Sequence, residues 1–229
     1  MATNDYNGVP ADTETVCAGT LLYRILPTTA PYAANSIYDP AIPLPVGDPL
    51  QGRFDPSDPT FGGYLYVAQS VEGAVAEGIL RRRPVGVPPT VQKSWLTGPK
   101  SQGGKKLATM QLDEDLEIAA LYGRHTAKLN LSATLLTGED YSATRVIGSA
   151  VLTASPSARG MKYRCANHDD LTSLMLIGRG GAPVLTLVDE VDIFYDDAGR
   201  DLVLRVLRDE FGLSYHGTAG NRDFRSPRR

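Results

Sequence analysis

Two arginines and a glutamate stand in this chain where charged side chains are costly. Arg24 interrupts the apolar run Leu22-Tyr23-Arg24-Ile25-Leu26. Arg53 sits between Gly52 and Phe54. Glu77 falls among Gly73, Ala74, Val75, Ala76, Gly78 and Ile79. A carboxylate in such surroundings is expensive to bury unless a cation or hydrogen-bond donors accompany it. Two readings are open: Glu77 is the structural partner of Arg24 or Arg53, or these groups face a shared ligand. An acid and arginines beside Tyr23, Phe54 and Tyr66 suit an anionic, nucleotide-like ligand, because guanidinium pairs bidentately with phosphate and aromatic faces stack on bases.

The elements that must position these residues follow from periodicity and punctuation. Thr20 to Leu26 reads as a strand, with Arg24 on the same face as Leu22 and Leu26. Pro27 to Pro59 is dense in proline, glycine and aspartate and reads as a long irregular loop of the kind that lines sites. Tyr64 to Ala68 is a strand. Ser70 opens a helix that runs to Arg83 and buries Val71, Ala74, Val75, Ile79 and Leu80. Leu96 to Lys106 reads as a flexible hairpin tip or loop. Strands are expected at Leu107 to Leu112, Gly160 to Cys165, Leu171 to Ile177 and Val184 to Val188. Leu116 to Ala120 is a strand or short turn. Helices are expected at Ser142 to Ala154 and Arg200 to Phe211, the last stopped by Gly212. Helices and strands interleave without a βαβ repeat, so the fold class is α+β, with mixed, largely antiparallel sheets and flanking helices. The domain division is a flexible segment over 1–19, one catalytic-sized domain over 20–215 and a flexible basic tail over 216–229.

Composition narrows the function classes. Hydrophobic residues make up 42% of 229 residues, enough for a packed core. A net charge of −3 argues against a protein whose main task is gripping nucleic acid. Arg81-Arg82-Arg83 reads as the solvated, basic C-terminal end of a helix. Two cysteines far apart in sequence, Cys17 and Cys165, make neither a disulfide framework nor a zinc site. His125, His168 and His216 are scattered, and the acidic run Asp189 to Asp197 lacks calcium-loop spacing. Gly178-Arg179-Gly180-Gly181 reads as a turn. No Walker, Rossmann, zincin or nucleophile-elbow motif occurs. The N-terminus lacks a secretory pattern and no apolar run is long enough for a bilayer, so the expected location is cytoplasmic.

Taken in order, the motifs resemble those of RES-domain proteins, a family named after an arginine, a glutamate and a serine. The resemblance is carried by Tyr23-Arg24, by Gly52-Arg53-Phe54-Asp55-Pro56, by Leu65-Tyr66-Val67-Ala68, and by the helix from Ala74 to Arg81 with Glu77. It continues in Tyr141, Thr144 and Arg145 and in Gly160 and Tyr163, over roughly residues 20 to 180. Where the family has its serine, this chain has Cys165. Arg164 would point to the opposite face of that strand, so Cys165 reads as a pocket-lining substitute rather than a thiolate nucleophile.

The resemblance implies an ADP-ribosyltransferase-like fold. It implies a toxin that cleaves the nicotinamide–ribose bond of NAD+, as a glycohydrolase or phosphorylase, and that is held in check by an Xre-type helix-turn-helix antitoxin. NAD+ enters as substrate, with no cofactor and no metal. Arg24, Glu77 and Cys165 are then the catalytic candidates, and Tyr23, Arg53, Phe54 and Tyr66 the substrate-binding ones. Alternative readings are ADP-ribosyl transfer to another acceptor, or an NAD-binding module impaired by Cys165. Direct nucleic-acid and membrane partners are not expected, and homo-oligomer formation is left open.

Overall fold

The computed structural model describes residues 6–39, 52–56, 58–81, 83, 89–98, 103–138, 141–165 and 168–215. Among these residues the strands form one eight-stranded sheet: β1 (Thr13–Val16), β2 (Leu21–Pro27), β3 (Tyr64–Ala68), β4 (Lys105–Leu112), β5 (Leu116–Leu121), β6 (Gly160–Arg164), β7 (Thr172–Ile177) and β8 (Leu185–Asp192). Their spatial order is β1-β5-β6-β7-β3-β2-β4-β8. The β5–β6 pair is parallel and the other pairs are antiparallel. The mixed, largely antiparallel α+β class expected from the sequence is the one observed.

Strand alternation assigns each face. Leu22 and Leu26 of β2, Leu65 and Val67 of β3, Ala108 and Met110 of β4 and Leu174 and Leu176 of β7 share one apolar cluster. Leu116 and Ile118 of β5 and Leu185 of β8 join the same cluster although their strands lie far apart in the sheet order, so the sheet curls around this core. The opposite face is covered in two halves. α5 (Tyr141–Ala154) lays Ile147, Val151 and Leu152 over Met161, Tyr163 and Met175. α1 (Val71–Val75), its continuation to Leu80, α2 (Lys93–Thr97) and α6 (Asp197–Asp209) gather Val75, Ile79, Trp95, Val203 and Leu207 over Leu107.

The seam between these halves is where the sheet opens. β2 pairs with β4 over seven residue pairs and β3 with β7 over five. β2 and β3 meet at Tyr23 and Ala68 alone. Beyond that point the two strands diverge, and the gap is available to side chains and ligand.

Several boundaries differ from expectation. The segment over 1–19 contains β1, whose residues Thr13 to Val16 pair with Ala119 to Leu116, so it is partly an edge strand of the sheet. The stretch around Leu96 belongs to α2, with Trp95 and Leu96 buried, and is not a hairpin tip; residues 99–102 lie outside the described residues. α3 (Arg124–Lys128) and α4 (Ala133–Thr137) were not anticipated, being too short for a periodic signal. α6 starts at Asp197 because the Asp196 side chain accepts from Gly199 N–H and caps it. Residues 1–5 and the basic tail from 216 lie outside the described residues.

Candidate active site

The helix that carries Glu77 begins with Ser70, whose Oγ accepts from Gly73 N–H at 3.1 Å. Helical geometry is regular through Val75 and then widens into a π-helical turn, Ala76–Leu80. Such turns are uncommon and concentrate at functional sites. Glu77 and Gly78 lie within it. A Cβ on Gly78 would come 2.6 Å from Cβ of Ile25, so glycine lets the turn close onto β2 one residue from Arg24. Lys105 Nζ donates to Gly78 O at 2.8 Å and holds the turn from the β4 side.

A cavity of about 170 Å³ opens between the diverging strands and the π turn. Tyr23, Arg24, Tyr66, Glu77, Arg81, Tyr163 and Ser173 contribute to its wall. Arg24 and Glu77, fifty-three positions apart in sequence, thus face one space. Arg24 is held by its Nη1 donating to Ala34 O at 2.9 Å, with its guanidinium 5.4 Å from the Tyr32 ring centre. A second chamber of about 310 Å³ adjoins the first and shares Arg24, Tyr66 and Arg81 with it.

The Gly52-Arg53-Phe54-Asp55 turn stands behind this wall. Asp55 Oδ2 accepts from Gly52 N–H at 2.7 Å, and Asp55 Oδ1 accepts from Tyr66 OH at 2.9 Å. Phe54 N–H donates to Tyr66 OH at 2.8 Å. A Cβ on Gly52 would meet Asp55 Oδ1 at 2.1 Å and Tyr66 OH at 2.6 Å, which requires glycine there. From α5, Thr144 Oγ1 donates to Arg53 O at 2.6 Å and Arg145 Nε to Asp55 O at 3.1 Å. Tyr141 OH accepts from Arg81 Nε at 3.1 Å. Motifs separated by ninety residues are one hydrogen-bonded unit.

Three of the residues expected at the ligand are displaced from it. Arg53 is fully buried, its Nη2 3.6 Å from Glu77 Oε1 and its guanidinium carbon 5.5 Å from the centre of the Tyr163 ring. It backs the carboxylate instead of lining the cavity. Phe54 is sealed in the core beneath α5, its ring centre 4.8 Å from that of Tyr163, so it has no free face for stacking. Cys165 is also buried, with Sγ 3.2 Å from Ser173 Oγ. Burial and the neighbouring Glu77 push its thiol up to about 12, so it stays protonated and non-nucleophilic near neutral pH. Arg53, Phe54 and Cys165 were read as substrate-touching because the sequence places them in the right motifs. Packing puts them one layer back.

Three of these wall residues, Tyr163, Ser173 and Arg81, were not among the site candidates. Ser173 lies on β7 opposite Tyr163 of β6 and brings a hydroxyl to the cavity. Arg81 was read as part of a solvated basic end, yet it is half-buried and lies at the junction of both chambers. Burial alone would lower its pKa, but Tyr141, Tyr66 and Glu77 around it raise it. Its spacing of four from Glu77 was the available signal, since residues so spaced share a helix side. Among the described residues, no group of three or more histidine, cysteine or acidic side chains is arranged to hold a metal, and no helix is long and apolar enough to cross a membrane.

Comparison with known proteins bears on this arrangement. No curated protein matches the chain in sequence. A chain of the crystal structure of the M. tuberculosis MbcT–MbcA toxin–antitoxin complex superposes with a TM-score of 0.51 at 16% identity, covering 78% of this chain and 86% of that one. At that identity the likeness is one of fold. The model of the RES domain matches residues 21–196, the span from β2 to the cap of α6, which holds Arg24, Glu77 and the whole of the cavity wall. The chain therefore belongs to the RES-domain family.

Proposed function

We propose that this protein is the toxin of a toxin–antitoxin pair and that it breaks the nicotinamide–ribose bond of NAD+. The observation that carries the reading is the meeting of Glu77, Arg24 and Arg81 on one cavity wall between two diverging strands. Membership in the RES-domain family and the fold shared with a chain of a toxin–antitoxin complex support it.

The chemistry follows from what departs and what remains. The C1–N bond of the ribosyl-nicotinamide breaks with its electron pair going to nicotinamide, which leaves as a neutral base. The ribose ring is left with oxocarbenium character. Glu77, in the cavity wall, stabilises that positive charge and can orient the attacking oxygen. Water or phosphate then bonds to C1; water gives up a proton to a base such as Glu77 and yields ADP-ribose. Arg24 and Arg81 stand where they can balance the pyrophosphate. Arg53, 3.6 Å behind Glu77, holds the carboxylate in place. An antitoxin that covers the opening between β2 and β3 would exclude substrate.

The test is release of nicotinamide from NAD+ by the purified chain, with and without phosphate, followed by chromatography. Glu77→Gln is expected to lower turnover by about 10²- to 10³-fold, the scale of losing one charge-stabilising group, with an unchanged circular dichroism spectrum. Intact NAD+ after prolonged incubation with protein free of any antitoxin would overturn the reading. ADP-ribose found on a macromolecule would redirect it to transfer.

A further inference from the structure

The second chamber has a wall of different chemistry from the first. Tyr32, Tyr38, Tyr64 and Tyr66 line it together with Arg24, Arg81, Gly52 and Asp55. The four rings run in a series: Tyr32 to Tyr38 at 6.4 Å between centres, Tyr38 to Tyr64 at 5.5 Å and Tyr64 to Tyr66 at 5.7 Å, the last two edge to face. The inner end of the series is fixed. Tyr66 OH is committed to Asp55 and Phe54, and burial, followed by Asp55, raises the pKa of Tyr64. At the outer end Tyr32 packs against the Arg24 guanidinium, 5.4 Å from its ring centre. Tyr32 and Tyr38 are 38% and 37% exposed, so these rings are not serving as core.

Partly exposed tyrosine rings beside guanidinium groups form the kind of platform on which a nucleobase stacks while its phosphates are neutralised. The volume, about 310 Å³, lies at the lower end of the range for small-molecule sites. Arg24 and Arg81 sit where the two chambers join, so a molecule crossing that junction presents phosphate there and a base beyond it. We infer that the tyrosine chamber is a purine-nucleoside subsite, and that it makes the dinucleotide, rather than nicotinamide mononucleotide, the preferred substrate of the Glu77 cavity. The inference rests on the NAD+ reading for the direction of preference; the subsite itself does not need the cleavage reaction.

The experiment has two arms on the full chain. In the first, ADP is titrated calorimetrically, with inorganic pyrophosphate as the comparison. ADP should bind with one-to-one stoichiometry and more tightly than pyrophosphate. Tyr38→Ala should weaken ADP by about tenfold or more while pyrophosphate affinity changes less, the scale of one base–aromatic stack. Tyr32→Leu, at the more exposed end, provides a second variant with little risk to folding and should weaken ADP in the same direction. In the second arm, kcat/KM is measured for NAD+ and for nicotinamide mononucleotide. The preference for NAD+ should shrink by about tenfold in Tyr38→Ala, through KM rather than kcat. ADP binding no tighter than pyrophosphate, or unchanged by both tyrosine variants, overturns the subsite. Equal use of NAD+ and the mononucleotide by the unaltered protein overturns the preference. ADP binding that depends on Tyr38, in a protein that leaves NAD+ intact, would keep the subsite and remove the cleavage reading.

Discussion

Arg53 is a charge withdrawn from water, and its worth depends on Glu77. Its Nη1 donates to Arg164 O at 3.0 Å, whereas Nε and Nη2 have no hydrogen-bond acceptor within reach among the described residues. Phe54 and Tyr163 offer their rings, and Glu77 offers a carboxylate 3.6 Å away. Removing one member of such a pair leaves the other poorly compensated. Arg53→Met is expected to cost about 3 kcal/mol of unfolding free energy, read from urea denaturation, because it removes the guanidinium 3.6 Å behind Glu77 and the hydrogen bond to Arg164 O. Activity should fall with it, since Glu77 loses the group that fixes its carboxylate from behind. A stable Arg53→Met protein with full turnover would show that Glu77 needs no support from behind. Cys165 marks the opposite case. Cys165, which the resemblance set in the place of the family's serine, lies in the layer behind the wall, and Ser173 brings a hydroxyl to the wall itself.

The π turn is the element on which the geometry of Glu77 depends. Gly78→Ala places a methyl group 2.6 Å from Ile25 Cβ, a contact that neither backbone tolerates. The turn must move off β2, at a cost of about 1–3 kcal/mol. Glu77 moves with it, so nicotinamide release should drop more steeply than stability, and kinetics beside a denaturation curve would separate the two. Lys105 holds the same turn and carries a pH signature. Burial, with Arg83 nearby, pulls its ammonium down from the ordinary 10.5 to about 8. The folded state therefore binds fewer protons than the unfolded state between about pH 8 and 10.5. Stability contributed by this group rises across that window and is reduced below it. Subtracting the pH–stability curve of Lys105→Met from that of the unaltered protein should isolate this rise. A flat difference from pH 8 to 10.5 would mean that Lys105 is better solvated than its position implies.

At the scale of the molecule, the sheet is built as two well-paired halves that meet at a single residue pair between β2 and β3. A ligand that spans the opening bridges the halves, and binding to the folded state alone must stabilise it. ADP-ribose at a hundred times its Kd is expected to raise the unfolding free energy by about 2.7 kcal/mol in Glu77→Gln, where no turnover competes. Hydrogen exchange should slow at the cavity-facing stretches of β2 and β3. Stabilisation with protection confined to a remote surface would place the ligand elsewhere.

Much of this protein is written locally. Strand alternation in Leu65 to Ala68, the Ser70 cap and the 3.6-residue period of α5 depend on neighbours in the chain, and they are legible without coordinates. The pairing of an acid near position 77 with distant arginines was legible too, because a carboxylate among apolar residues demands a partner. Which arginine stands behind Glu77 and which beside it was not. Arg53 stands in a motif that suggested ligand contact and Arg81 in a basic run that suggested solvent, and packing reversed their access to the cavity: the turn at Gly52 folds under α5 and seals Arg53, while the widened turn after Val75 brings Arg81 around to the opening. Burial is a property of what lies across space, and a side chain one layer from a cavity has the same sequence neighbours as one that lines it.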